Sequence, residues 1–232
     1  MNESLQNVLS GNASAGSLSS ERQRVLRNTY WLLALSLVPT VLGAWVGVST
    51  GVMSMMSNGM SAILFLAGAF GFMFAIEKTK NSSTGVYALL GFTFFMGLML
   101  SRMLAMILGY KNGSTLIMTA FGGTAGVFFA MASLSSIIKR DLSGMGKFLM
   151  VGAIILLVAG VVNIFVQSSA MMLTMLVLSI AIFSAFMLYD IKRIVDGGET
   201  NYISATLALY LDIYNVFQSL LMLLGIFGGD RD

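Results

Sequence analysis

Asp190 and Asp212 are the side chains of this chain best suited to chemistry. Asp190 closes an apolar run, and Asp212 lies well inside the next, which begins near Ile203. If the first of these helices continues through Lys192 and Arg193, Asp190 sits a turn or more inside it, and the two carboxyl groups come to similar depth. Two carboxylates in one low-dielectric site cannot both ionise easily. Such a pair would share a proton that holds its helices together, and losing that proton would drive them apart. The same oxygens suit a hard cation such as Ca2+. Ala205, Ala208, Asp212, Asn215 and Ser219 recur at spacings of three and four, one helical stripe of small and polar groups. A charged residue so deep is costly in lipid, so the stripe must face protein or water and the last helix belongs in the middle of a bundle. Leu207, Tyr210, Leu211, Tyr214 and Phe217 fill its other faces, as suits a helix packed all round.

Plainer readings stand beside these. Asp190 reads equally as an interfacial carboxylate paired with Lys192, Lys78 or Lys80. Asp212 reads alternatively as a structural acid hydrogen-bonded to Asn or Tyr. Glu77 marks the end of a span. Arg102, inside the third apolar run, snorkels towards the interface, with a pore-lining role as the alternative.

The composition removes most other chemistry. With no His and no Cys there is no disulfide, zinc–thiolate site, Fe–S cluster, Cys nucleophile or Ser-His-Asp triad. Proton chemistry is left to Asp, Glu, Lys and Tyr. Walker A, phosphate-loop and metal-triad patterns are absent too, so neither an enzyme, a cofactor nor a nucleic-acid partner is expected. The 232 residues are 57% hydrophobic and 10% charged, less than half the charged share of a soluble domain. A mean hydropathy of +0.87 makes the lipid bilayer the expected solvent.

Seven apolar runs, each long enough to cross a membrane as a helix, must position the two acids. They cover about 30–48, 60–76, 86–108, 116–138, 148–166, 170–189 and 203–227, and predict an all-α seven-transmembrane bundle with helix seven central. Residues 1–28 form a polar tail that ends in Arg22, Arg24 and Arg27. It is too long and polar for a cleaved signal peptide, so an uncleaved first span is expected. The helical domain then occupies 29–228, with a short C-terminal tail at 229–232. Ten of the 13 Lys and Arg fall in the tail and in the connections after runs two, four and six. Only Lys111 and Arg231 fall on the other side, which predicts a cytoplasmic N-terminus and a periplasmic C-terminus. Gly122 and Gly126, and likewise Gly91, Gly97 and Ser101, read as small residues that let helices of one chain approach closely, with a dimer face as the alternative. Pro39, the one proline, predicts a kink in the first span.

The segment GGETNYISATLALYLDIYNVFQSLLMLLG, with LYDIKRI before it and RVLRNTYWLLALSL near the start, resembles the Bax inhibitor-1 family, most of all its bacterial YccA-type branch. The resemblance spans essentially the whole membrane region. It implies a seven-helix bundle in the bacterial inner membrane, with helix seven enclosed by the other six. It also implies a pH-sensitive Ca2+ leak gated by an aspartate pair, whose positions match Asp190 and Asp212. The family's partner arginine, near the connection between helices two and three, has no match; Lys78 or Lys80 stands there, without bidentate geometry. The YccA-type branch is instead associated with binding and modulating the membrane protease FtsH, in part through its N-terminal tail, and the polar tail here suits that role. A third reading, an intramembrane aspartyl protease, is the weakest. Leu209-Tyr210-Leu211 precedes Asp212 where such a site needs Gly-x-Gly, and no proline follows Pro39.

Overall fold

In lipid a chain must satisfy its own backbone N–H and C=O groups, so each apolar run closes into a helix. The computed structural model describes residues 2–230, with side chains from Ser20 onward except Asn58. Arg231 and the end of the C-terminal tail lie outside the described residues, as do the side chains of most of the N-terminal tail. Among the described residues there are seven helices and no strand: α1 (Asn2–Thr50), α2 (Asn58–Thr79), α3 (Ser83–Leu108), α4 (Gly113–Ile137), α5 (Met145–Val166), α6 (Ser169–Val195) and α7 (Tyr202–Gly228). All seven contain a stretch long and apolar enough to span a membrane, α1 from Ser20 onward. Helix α1 stays helical through Pro39 and through the backbone of the segment read as a tail.

Local chemistry explains where the helices stop and start. Ser57 Oγ and Ser168 Oγ accept from the amides of Met60 and Met171, capping α2 and α6. Gly51 (φ 65°) turns the chain out of α1, where a side chain would be strained.

Helix α7 packs against α1, α2, α3, α4 and α6, while α5 leans chiefly on α6. It is therefore central, but walled by five helices rather than enclosed by six. The main core gathers Phe92 and Met96 of α3, Ile191 and Ile194 of α6, and Leu209 and Tyr210 of α7. Helix α5 fully buries only Leu149 and exposes most of its other large apolar side chains, as a lipid-facing helix does.

The closest approach joins α1 to α3. A Cβ on Gly97 would collide with the Thr40 carbonyl, and one on Gly43 with the Phe94 carbonyl. Gly97 and Ser101 thus serve as the sequence leads one to expect. Gly122 and Gly126 do not: both are exposed, with nothing within 4 Å of a Cβ added at either. Their spacing is that of a packing motif, but it faces away from the bundle.

Candidate functional site

The site begins at the connection between α6 and α7. Helix α6 runs to Val195, six residues past the end of its apolar run, so Asp190 lies inside the helix. The two basic residues that follow it find partners further along the chain. Lys192 Nζ donates to Asp196 Oδ1 at 2.7 Å, and Arg193 pairs with Glu199 Oε2 at 3.2 Å. Gly197 turns the connection at φ 83°, beside the Arg22 side chain of α1. Asn201 then starts α7. Its Oδ1 accepts from the amides of Ile203 and Ser204, and its Nδ2 donates to Lys80 O and Asn81 Oδ1. One side chain thus caps α7 and ties its first turn to the connection between α2 and α3.

From this anchor Asp212 lies about 16 Å along the helix axis. Its carboxyl and that of Asp190 lie close enough across α6 and α7 to act on each other. Asp212 is 4% exposed, and its Oδ2 is buried without a hydrogen-bond partner. Ionised carboxylates only accept, so a hydrogen bond between two of them requires a proton on one. Side by side, the two carboxyls of α6 and α7 would bond to each other only with a proton on at least one of them.

The predicted supporting residues behave differently from one another. Lys78 lies over the Phe74 ring, 5.3 Å from its centroid, and Lys80 pairs with Glu77. Neither meets an aspartate of the pair; Arg193 and Glu199 are the charged groups that act on Asp190. Asn215 Nδ2 turns back to the Leu211 carbonyl at 2.7 Å on its own helix. Ser219 Oγ donates to Ser179 Oγ at 3.0 Å and so forms a second polar link between α6 and α7.

Among the described residues neither Asn nor Tyr satisfies Asp212, contrary to the plainer reading of that residue. Tyr210 meets Thr40 Oγ1 at 2.8 Å and donates to the Thr93 carbonyl, and Tyr214 donates to the Met96 carbonyl. These phenols anchor α7 to α1 and α3, whereas the sequence presents them as packing or as partners of Asp212. The available signal was their type: a buried tyrosine hydroxyl needs a partner. Arg193, three residues after Asp190 and hence on a neighbouring face of the helix, was legible by the same kind of spacing.

Comparison with known proteins agrees with the fold. The family described as "Inhibitor of apoptosis-promoting Bax1" matches residues 22–229. The modulator of FtsH protease YccA of Escherichia coli (strain K12) is 40% identical over 207 residues, which are 89% of this chain and 92% of that protein. An uncharacterized membrane protein of Vibrio cholerae is also 40% identical, over 89% of this chain and 91% of its own length. A protein of Campylobacter jejuni is 32% identical over 90% of this chain and 91% of its own length. With seven membrane-spanning helices, a family match over nearly its whole length and YccA among its relatives, the chain belongs to the Bax inhibitor-1 family.

Proposed function

We propose that this protein is a proton-gated cation leak in which Asp190 and Asp212 form the gate and Ca2+ is the cargo. The observation that carries the reading is the close approach of two carboxyl groups between α6 and α7, with one of their oxygens buried and unpartnered. While a proton is held between the carboxyls, they clasp the two helices. When it leaves, two negative charges face each other in a medium that screens them poorly. Helix α6 then separates from α7, and the freed carboxylates line a polar path that attracts a hard cation. Among the described residues no three acidic side chains gather to hold a metal. The pair would therefore meet Ca2+ as a passing ion that keeps much of its water.

Burial also supports a non-enzymatic role, because Leu209 and Tyr210, at 0% and 2% exposure, leave no approach for a substrate backbone beside Asp212. The proposed location is the bacterial inner membrane with the N-terminus in the cytoplasm. The distribution of Lys and Arg supports it, as does a relative named "Inner membrane protein YccA". Because the chain has no cysteine, single cysteines placed at Lys111 and Lys139 would report sidedness by labelling from one face.

The test of the gate is Ca2+ flux into proteoliposomes between pH 5 and 8. Wild type should show a pH-dependent leak, and Asp190→Asn or Asp212→Asn should flatten or shift that dependence. Identical leaks in all three proteins across the range would remove the gate.

A second reading is favoured by the name of the E. coli relative: modulation of an FtsH-type membrane protease. The continuation of α1 back to Asn2, beyond its membrane-spanning part, supplies a polar segment for such a contact. It predicts co-purification with FtsH, lost on deletion of residues 1–20 while ion flux is unchanged. Unaltered FtsH activity in cells lacking the protein would count against it.

A further inference from the structure

The second half of α7 opens on a feature that the gate does not use. A cavity of about 230 Å³ lies between α2, α3 and α7, with Ser61, Arg102, Tyr214 and Gln218 among its lining residues and Met53 and Phe65 as apolar walls. It lies at the end of the bundle away from the basic connections, where α2 begins and α3 nears its end. Gln218 is about 9 Å further along α7 than Asp212.

Three polar groups border it: the buried hydroxyl of Ser61 and the exposed side chains of Arg102 and Gln218. Arg102 reaches only the Met56 carbonyl, at 3.4 Å, and has no carboxylate partner among the described residues. No Asp or Glu occurs in α3, in residues 51–57, or in α7 beyond Asp212. Ser61 Oγ is buried without a hydrogen-bond partner, and no hydrogen bond from the described residues engages the Gln218 amide. The buried Ser61 hydroxyl requires water or a polar ligand, and the exposed Arg102 and Gln218 beside it are open to the same ligand. The set is dominated by donors and carries an unbalanced positive charge. The first turn of α2, which brings Ser61 to the cavity, adds the partial positive charge of a helix N-terminus.

From this we infer that the cavity binds a phosphate group, held by the planar fork of Arg102 and by donors from Gln218 and Ser61. Guanidinium matches phosphate bidentately, and the serine hydroxyl and primary amide complete the donor set. The phosphate can belong to a phospholipid headgroup, whose glycerol and first methylenes would rest on Met53 and Phe65, or it can be free phosphate. The site is independent of the gate, because no residue of the aspartate pair lines it.

The test titrates the purified full chain, in a maltoside detergent that carries no phosphate, with dihexanoyl phosphatidylglycerol and separately with inorganic phosphate. Sodium chloride at matched ionic strength is the control, and the midpoint of thermal unfolding is read. A saturable rise with the lipid alone assigns a headgroup site, and a rise with inorganic phosphate assigns a site for the free ion. In either case Arg102→Gln should weaken the apparent affinity about tenfold or more, with Arg102→Lys in between. If Arg102→Gln does not fold, Gln218→Leu should still weaken binding about threefold to tenfold. No rise with either probe, or the same affinity in wild type and in the variants that fold, overturns the proposal.

Discussion

The two halves of α7 solve the same problem in opposite ways. Both carry polar groups to membrane depth. The half from Tyr202 to Tyr214 closes around them: Thr206, Tyr210 and Tyr214 each reach a backbone carbonyl or hydroxyl, and Asp212 meets Asp190. Beyond Tyr214 the walls part, and Gln218 and Arg102 border a cavity. The reason lies in the neighbouring helices. Glycines draw α1 and α3 together beside Tyr210, whereas nothing comparable brings α2 against α7 near Ser61. Close backbone contact makes polar groups satisfy one another, and its absence leaves them to a ligand or to water.

The contrast breaks first at Gly97. Gly97→Val would push α3 off the Thr40 carbonyl and destabilise the closed half by about 3 kcal/mol. The equivalent Gly126→Val, on an open face, should stay within about 0.5 kcal/mol. Thermal unfolding in one detergent compares the two, and equal losses would mean that the glycine contact is not what closes this half.

A double-mutant cycle of Asp190→Asn and Asp212→Asn sharpens it next. A pair that shares a proton should show a coupling energy of about 1–3 kcal/mol in stability, whereas independent acids would add within about 0.5 kcal/mol.

Ser219 lies in the far half, one residue past Gln218. Ser219→Ala removes its bond to Ser179 and should cost only about 0.6 kcal/mol, a polar contact across membrane helices being worth little in stability. A larger loss would extend the closed region to that point.

The smallest effect concerns an acid outside the membrane. Asp141, in the connection between α4 and α5, accepts from the Ser143 amide at 2.8 Å and from its hydroxyl at 2.9 Å, which holds its carboxyl below the usual range. A depressed value adds stability that is complete above the unfolded carboxyl pKa of about 3.9 and disappears as pH falls through the lower folded value. Ser143→Ala should move the Asp141 titration, followed by NMR, back part of the way. It should leave Ca2+ flux unaltered, in contrast to the buried pair.

Much of this arrangement is legible in the amino-acid sequence. The apolar runs give seven helices, because the bilayer demands some twenty apolar residues and a self-satisfied backbone. The polar stripe on α7 places that helix centrally, because lipid does not accept Asp212. Other features are not legible. Gly97 and Gly126 look alike in sequence, yet one touches a carbonyl and the other touches nothing, since helix rotation decides which face packs. Lys78 and Lys80 seem the natural counter-charges to Asp190, but Phe74 and Glu77, on their own helix, engage them first. Local partners reach a flexible lysine at little entropic cost, whereas a distant acid must be brought to it by the fold.

The sequence by itself determined the solvent, the number of helices, the end at which positive charge collects, and which two acids are candidates for a proton switch. Each follows from local composition, which acts over a single helix. Only the tertiary structure decided that the two carboxyls come together, that Tyr210 and Tyr214 and not Asn215 tie the middle of α7 to its neighbours, and that Arg102, Ser61 and Gln218 share one cavity. Those relations depend on how helices rotate and cross, which is set by packing summed over the whole bundle and not by any one segment.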